Sequence, residues 1–242
     1  MNDNAENKPL YRLFLPELIC GILIRRYKRF LAEVRLADGN TVTAHCANSG
    51  RMTECCEPGR TVYLSFHNDP KRKLKYTWEL IHMPLSLVGV NTQISNQLVA
   101  ESAGIGAIAE LRGYDTVRRE VKTGNSRLDI LLTRADRRKC FVEVKNCTLV
   151  KDRIAEFPDA VTLRGQKHLA EMAELTASGN RCVMFFLIQR MDADIFRPAD
   201  RIDPAYGKAL RRAYEKGVEI LAYDVHICPE FISLNRRIPC CL

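Results

Sequence analysis

The spacing of apolar residues changes once along the 242-residue chain, and this change restricts the possible folds more than any other feature. Before Gly89, short extended runs are separated by turn signals such as Asp38-Gly39-Asn40 and Pro58-Gly59. After Gly89, runs with strand spacing alternate with runs that place apolar residues on one side of a helix. We therefore expect a two-domain α+β protein, with an all-β part over residues 1–88 and an α/β part over residues 89–242.

The first part is expected to form a small β-barrel of the OB-fold type. Extended runs are predicted over residues 22–36, 41–46, 61–66 and 76–83. Strands this short and this closely spaced bury an apolar face most simply by closing into a barrel.

The second part is expected to form a mixed sheet flanked by helices. Strands are predicted over residues 114–122, 126–134, 140–150, 181–189 and 218–227, and helices over residues 93–100, 163–177 and 204–216. Hairpin strands followed by alternating helices and strands indicate an α/β arrangement with both parallel and antiparallel pairs.

Charge and composition favour a cytoplasmic protein that binds a polyanion. The net charge is +8, shared equally by the two parts, and a basic balance favours nucleic acid. No apolar run is long enough to span a bilayer, and the first eight residues lack the apolar core of a secretion signal. The ten cysteines have no C-x-x-C spacing, so we expect reduced thiols rather than a zinc site.

Two basic clusters have aromatic neighbours, an arrangement suited to nucleic acid because cations neutralise phosphates while rings stack on bases. The alternative is a solvated surface whose aromatic rings belong to the core, and the residues alone favour neither. The clusters are Arg25, Arg26, Lys28 and Arg29 around Tyr27 and Phe30, and Lys71, Arg72, Lys73 and Lys75 before Tyr76 and Trp78.

Three residues on two successive strands are the candidate catalytic group. Glu143 and Lys145 are two apart, so their side chains share one face of a strand. Asp129 lies on the preceding strand. If the hairpin turn is centred on Asp136, then Asp129 lies directly opposite Glu143, roughly 5 Å away between Cβ atoms.

Two opposed carboxylates repel each other, and a bound divalent cation removes this conflict. Carboxylate oxygens suit Mg²⁺, or Mn²⁺, with Asp129 and Glu143 as the ligands. Such an ion polarises a phosphoryl oxygen and orients a water, while Lys145 assists. The hypothesis is phosphodiester hydrolysis. The alternative is an ordinary solvated strand face on which Glu and Lys alternate.

The helix predicted over residues 163–177 carries Arg164, Lys167 and His168 at helical spacing, on one face. Turned toward the carboxylates, this face would present cations to a phosphate. The alternative is an exposed helix face without a ligand.

Several segments resemble the sugar fermentation stimulation protein A family. The longest and most specific segment covers residues 157–169. The other segments are residues 26–34, 45–52, 76–80, 90–92 and 217–223. The resemblance implies an OB-like domain joined to a domain of the PD-(D/E)XK nuclease superfamily. It also implies DNA binding with little sequence preference and a link to the regulation of sugar-utilisation genes.

The resemblance also implies roles for single residues. Asp129 matches the superfamily's first acid, and Glu143 and Lys145 match its second acid and its lysine. Leu128 stands where the superfamily's name has proline. Many members use a further glutamate on the first helix, for which the candidates are Glu101, which we prefer, and Glu110.

Three functions remain open from the sequence. The first is a Mg²⁺-dependent DNA nuclease. The second is a DNA-binding regulator that does not cleave, and the third is an RNA-binding barrel protein with a structural second domain. The sequence leaves the oligomeric state open, a homodimer included.

Overall fold

The computed structural model describes residues 9–123 and 126–242. The strands in these ranges are β1 (Arg12–Phe14), β2 (Leu18–Tyr27), β3 (Leu31–Leu36), β4 (Thr41–His45), β5 (Thr61–Phe66), β6 (Tyr76–Met83), β7 (Ser86–Gly89), β8 (Thr116–Thr123), β9 (Ser126–Thr133), β10 (Cys140–Cys147), β11 (Leu149–Lys151), β12 (Ile154–Phe157), β13 (Arg181–Ile188), β14 (Ile195–Pro198), β15 (Glu219–Ile227) and β16 (Phe231–Arg237). The α-helices are α1 (Ser95–Gly104), α2 (Leu163–Ala177) and α3 (Pro204–Glu215), and short 3-10 turns lie at Thr92–Ile94 and Ala109–Leu111.

Strands β2 to β6 form a closed barrel with OB topology. They are hydrogen-bonded in the order β4-β3-β2-β5-β6, and a parallel pairing of β4 with β6 closes the ring. The barrel encloses an apolar core that includes Leu23, Val34, Leu64 and the fully buried Trp78. The predicted barrel is therefore confirmed.

The extended run predicted over residues 22–36 is broken by a tight hairpin turn. Lys28 and Arg29 both have left-handed backbones, with φ of 46° and 65°. Tyr27 pairs with Leu31, so the turn has three residues, two of them at positive φ, and Gly or Asn is the usual sequence signal for such a backbone. Because two long basic residues stand there instead, the turn could not be predicted from sequence.

The second part is a seven-stranded mixed sheet in the order β1-β16-β15-β13-β10-β9-β8. Strands β10, β13 and β15 are parallel neighbours at its centre, and the outer strands run antiparallel. One face of the sheet packs with Leu98 of α1, and the other packs with Leu169 of α2 and Tyr206 of α3. The predicted architecture, an OB-like barrel followed by an α/β domain with a mixed sheet flanked by helices, is confirmed.

The first strand of the chain belongs to this second sheet. Residues of β1 pair antiparallel with β16, so that Leu13 lies opposite Ile232. Leu13 is buried in the core of the α/β part, whereas Phe14 is 71% exposed. Among the helices in the described ranges, none combines the length and apolar character needed to cross a membrane.

Two helix caps fix the position of α2. The Thr162 hydroxyl accepts from Gly165 N at 3.0 Å, and an Asp203 carboxyl oxygen accepts from Tyr206 N at 2.9 Å to cap α3. The other Asp203 oxygen accepts from the Thr162 backbone N–H at 2.8 Å. Because the caps are linked, α3 holds the first turn of α2 in place.

Buried polar groups join the barrel to the sheet domain. Glu79 of the barrel accepts from Asn91 Nδ2 at 2.8 Å, and Gln189 Nε2 donates to the Asn91 carbonyl at 3.3 Å and to Asn146 Oδ1 at 2.5 Å. Gly89 lies against Gln189, where an added Cβ would be 2.2 Å from the amide oxygen. These contacts fix the barrel beside Lys145, the neighbour of Asn146.

Candidate metal and nucleic-acid site

The hairpin of β9 and β10 has the register predicted from its turn. Cys140 pairs with Leu132, Phe141 with Leu131 and Val142 with Ile130. One step further along the same register, Asp129 is the neighbour of Glu143. The ladder ends there, and the Val144 backbone N–H donates to Asp129 Oδ2 at 2.8 Å.

The Glu143 carboxylate is 2% exposed and has one satisfied oxygen. Its Oε1 accepts from Lys145 Nζ at 2.5 Å and contacts His168 Nδ1. Its Oε2 is buried and has no hydrogen-bond partner among the residues that the structure describes. Burial acts to raise the pKa of Glu143, but the contacts with His168 and Lys145 outweigh it and lower the pKa below its usual range.

Asp129 is half-buried, and the groups around it compensate its negative charge only in part. Burial, followed by the charge of Glu143, raises its pKa to about 6, against the effect of its hydrogen bonds and of Lys145. One of these bonds comes from Asn96 Nδ2 on α1, at 2.7 Å from Asp129 Oδ1. The fold therefore holds an ionised Asp129 at neutral pH in surroundings that favour a positive partner.

These groups fit a hard divalent cation. Asp129 and the unpartnered Glu143 Oε2 are carboxylate oxygens, which Mg²⁺ and Mn²⁺ prefer. Over the two described ranges, no group of three or more His, Cys, Asp or Glu residues is placed to hold a metal. Two protein carboxylates, with water and phosphate oxygens completing the shell, are typical of Mg²⁺ rather than of structural zinc. Because Glu143 Oε2 is covered, a cation reaches it only if a side chain such as Lys145, 15% exposed, moves.

The first helix brings an amide to Asp129 rather than a glutamate. Glu101 lies five residues after Asn96, which turns its side chain about 140° around the helix axis. It is exposed beside Val117 and Arg119 of β8. The alternative, Glu110, accepts from the Tyr223 hydroxyl at 2.7 Å and pairs with Arg237 at 3.1 Å. Sequence reasoning missed Asn96 because it looked only for an acid.

Only part of the predicted cationic face of α2 reaches the carboxylates. His168 is buried against Glu143, and Arg164 Nε donates to His168 Nε2 at 3.4 Å. Lys167 instead lies near Glu171, at 3.7 Å. His168 is thus placed to orient Glu143, a role that its helical spacing did not reveal.

A cleft of about 400 Å³ lies between the barrel and the sheet domain. It is lined on the barrel side by Arg29 and the 48–50 loop, and on the other side by Lys145 and Arg164. Of the candidate site, Lys145 reaches this groove, which carries basic residues from both domains, whereas Asp129 and Glu143 lie behind its lining.

In the first basic cluster, two side chains are held by partners within the barrel and two are exposed. Arg26 donates to the backbone carbonyls of Asn48, Gly50 and Arg51 at 2.8 to 2.9 Å, so it holds the loop that lines the cleft. Arg25 pairs with Glu33 at 2.7 Å. Lys28 and Arg29 are exposed at the hairpin turn.

The second basic cluster is less suited to stacking. Trp78 is fully buried and its indole N–H donates to the Leu80 carbonyl at 2.9 Å, so it is a core residue. Tyr76 packs against Phe66, with ring centroids 5.3 Å apart. Of the four cations, Arg72 donates to Thr77 at 3.0 Å and Lys75 to the Asp69 carbonyl at 2.7 Å, while Lys71 and Lys73 are exposed.

Comparisons with known proteins agree with this architecture. The family model described as the SfsA N-terminal OB domain matches residues 24–90, and the one described as the sugar fermentation stimulation protein RE domain matches residues 93–231. A sugar fermentation stimulation protein homolog of Geobacter sulfurreducens is 53% identical over 229 residues, which is 94% of this chain and 98% of the relative. A homolog of Geotalea uraniireducens is 52% identical over 222 residues, which is 91% of this chain and 96% of the relative.

A solved structure, Pyrococcus furiosus SfsA in complex with Ca²⁺, superposes with a TM-score of 0.87 at 27% identity. The match covers 95% of this chain and 98% of that one. Both domains and nearly the whole length are therefore shared with these proteins. The chain belongs to the sugar fermentation stimulation protein family.

Proposed function

We propose that this protein is a DNA nuclease that depends on Mg²⁺ or Mn²⁺ and hydrolyses phosphodiester bonds at Asp129, Glu143 and Lys145. The observation that carries the proposal is the unpartnered Glu143 Oε2, buried next to an aspartate whose pKa is raised to about 6. A buried carboxyl oxygen without a donor costs free energy, and a cation removes that cost. The Ca²⁺ complex of the Pyrococcus furiosus relative supports divalent-cation binding in this fold.

Each residue has a distinct role in this proposal. Asp129 and Glu143 would hold the cation, which would supply Lewis-acid chemistry toward a phosphoryl oxygen and a water. His168 fixes the orientation of Glu143 through Oε1. Lys145 lies at the edge of the cleft, where its ammonium can donate to a phosphate oxygen and stabilise the negative charge that develops during hydrolysis.

Binding of DNA is supported by charge on both sides of the cleft. Arg29 and Arg164 line it from opposite domains, and the whole chain has a net charge of +8. Such contacts address phosphates and carry little sequence information. A cytoplasmic location remains a prediction from the sequence.

A regulator that binds DNA without cleaving it is the second candidate. Two observations favour it. Glu143 is closed off by Lys145 and His168, and Glu101 lies on another side of α1. The link to sugar-utilisation genes belongs to this candidate.

A cleavage assay separates the two. Supercoiled, linear and branched DNA are incubated with the protein in Mg²⁺, Mn²⁺ or EDTA. The nuclease proposal predicts metal-dependent cleavage that Asp129→Ala and Lys145→Ala remove while DNA binding persists. Lys208→Ala, an exposed lysine on α3, is the matched control and should cleave like wild type. Equal background from wild type and the two site variants would leave the binding regulator.

A further inference from the structure

The cleft beside Lys145 is closed along one side by contact between the two domains. The Met52 backbone N–H donates to Asp159 Oδ2 at 2.9 Å. Gly50 lies against the same carboxylate, so that an added Cβ would be 2.4 Å from Oδ2. The barrel loop and the segment before α2 therefore meet and leave a groove bounded on both sides.

This groove suits a single strand better than a double helix. It has a volume of about 400 Å³ and is walled by both domains, with Arg29 on one side and Arg164 on the other. A duplex brings two backbones and the stacked pairs between them. One unpaired strand has a single backbone and separate bases, and it fits a groove of this size.

The basic groups are arranged for one backbone. Lys145 and Arg164 lie on the sheet-domain side and Arg29 on the barrel side. The capped first turn of α2 also lies at the cleft, at Thr162 and Gly165, and the free N–H groups of a helix start attract phosphate.

Apolar side chains are exposed beside these cations. Val161 is 65% exposed and lines the cleft, and Leu163, two residues later, is 76% exposed. Phe30, next to Arg29 on the opposite side, is 45% exposed. Phosphate contacts do not require apolar groups, whereas unpaired bases offer faces that pack against them. Val161, Leu163 and Phe30 are called the apolar rim below.

We propose that the substrate is DNA with an unpaired segment, such as a single strand, a flap or a splayed end. One strand lies in the cleft with a phosphate at Lys145 and with bases against the apolar rim. This inference rests on the proposed function, because it names the substrate of that same site.

The test measures binding rather than cleavage, so that it does not depend on activity. Fluorescence anisotropy of end-labelled oligonucleotides is recorded for the full chain in EDTA and in Ca²⁺, with a single strand, its duplex, and the same sequence as RNA. We expect the single DNA strand to bind about tenfold more tightly than the duplex at equal salt. Equal or tighter binding of the duplex overturns the inference. If the RNA binds more tightly than the DNA single strand, the proposal that the substrate is DNA is overturned.

Variants of the apolar rim test where the strand lies. Val161→Ser with Leu163→Ser should weaken single-strand binding about fivefold, the lower end for loss of a base contact, and leave duplex binding unchanged. Leu85→Ser, at a position 77% exposed in the turn between β6 and β7, is the matched control. Equal weakening for strand and duplex, or none, contradicts the proposed path.

The two proposals fail separately. A single-strand preference without cleavage in any metal leaves the cleft inference standing and removes the nuclease. Cleavage of duplex that requires Asp129, without a single-strand preference, does the reverse.

Discussion

Asp129→Asn should stabilise the metal-free protein at neutral pH and remove its response to Mg²⁺. The fold raises the pKa of Asp129 from 3.8 to about 6 through burial and the charge of Glu143. At about 1.4 kcal/mol per pKa unit, holding this residue ionised costs roughly 3 kcal/mol. Asn removes the charge but can accept only one of the two hydrogen bonds from Asn96 and Val144, so we expect a smaller net gain of about 1–2 kcal/mol.

The stability gained by Asp129→Asn should increase with pH. Because the pKa of Asp129 is higher in the folded than in the unfolded chain, the folded state binds more protons between pH 3.8 and about 6. The unfolding free energy of wild type therefore falls as pH rises through that window. Above it, the whole cost of holding Asp129 ionised is present. The advantage of Asp129→Asn should be present at pH 8 and absent near pH 4.

Urea unfolding in EDTA measures both effects, with a second series in Mg²⁺. Wild type should gain stability from Mg²⁺, since a ligand that binds only the folded state stabilises it, and the variant should not. Asp136→Asn is the control, because Asp136 is an exposed acid in the turn of the same hairpin. A variant no more stable than wild type at pH 8, or equally favoured at pH 4 and pH 8, would refute the electrostatic argument.

Three further predictions concern His168, Arg26 and the salt dependence of DNA binding. His168→Ala should lower Mn²⁺ affinity, measured by titration, about 10- to 100-fold with little loss of fold, and His168→Gln, which keeps a donor for Glu143, should restore part of it. Arg26→Ala should lower the unfolding free energy by about 1–3 kcal/mol, because its guanidinium holds three loop carbonyls. Arg25→Ala, at an exposed ion pair, should have a much smaller effect, and equal losses in denaturant melts would contradict this. DNA affinity should fall steeply with salt in a log–log plot, and a flat plot would exclude phosphate contacts.

The sequence predicted the features that depend on local rules. Alternation on β10 and the turn at Asp136 placed Asp129 beside Glu143, and the register of the three adjacent pairs is confirmed. The barrel followed from short strands and turn residues. The start of α2 followed from helical spacing, and its cap at Thr162 is local.

Features that depend on packing between distant segments could not be predicted from the sequence. Asn96 reaches Asp129 only because α1 lies across the hairpin, and His168 turns inward because α2 packs on that face. Arg26 looked like a phosphate ligand, but its partners lie more than twenty residues away in the chain. The turn at Lys28 and Arg29 lacks the Gly or Asn that marks such hairpins.

The cation site itself is tested most directly by soaking crystals of the protein in Mn²⁺ and locating the ion by its anomalous scattering. The account predicts one strong peak between an Asp129 carboxyl oxygen and Glu143 Oε2, absent from crystals of Asp129→Asn. Density for Mn²⁺ elsewhere only, or an unchanged peak in the variant, would contradict it.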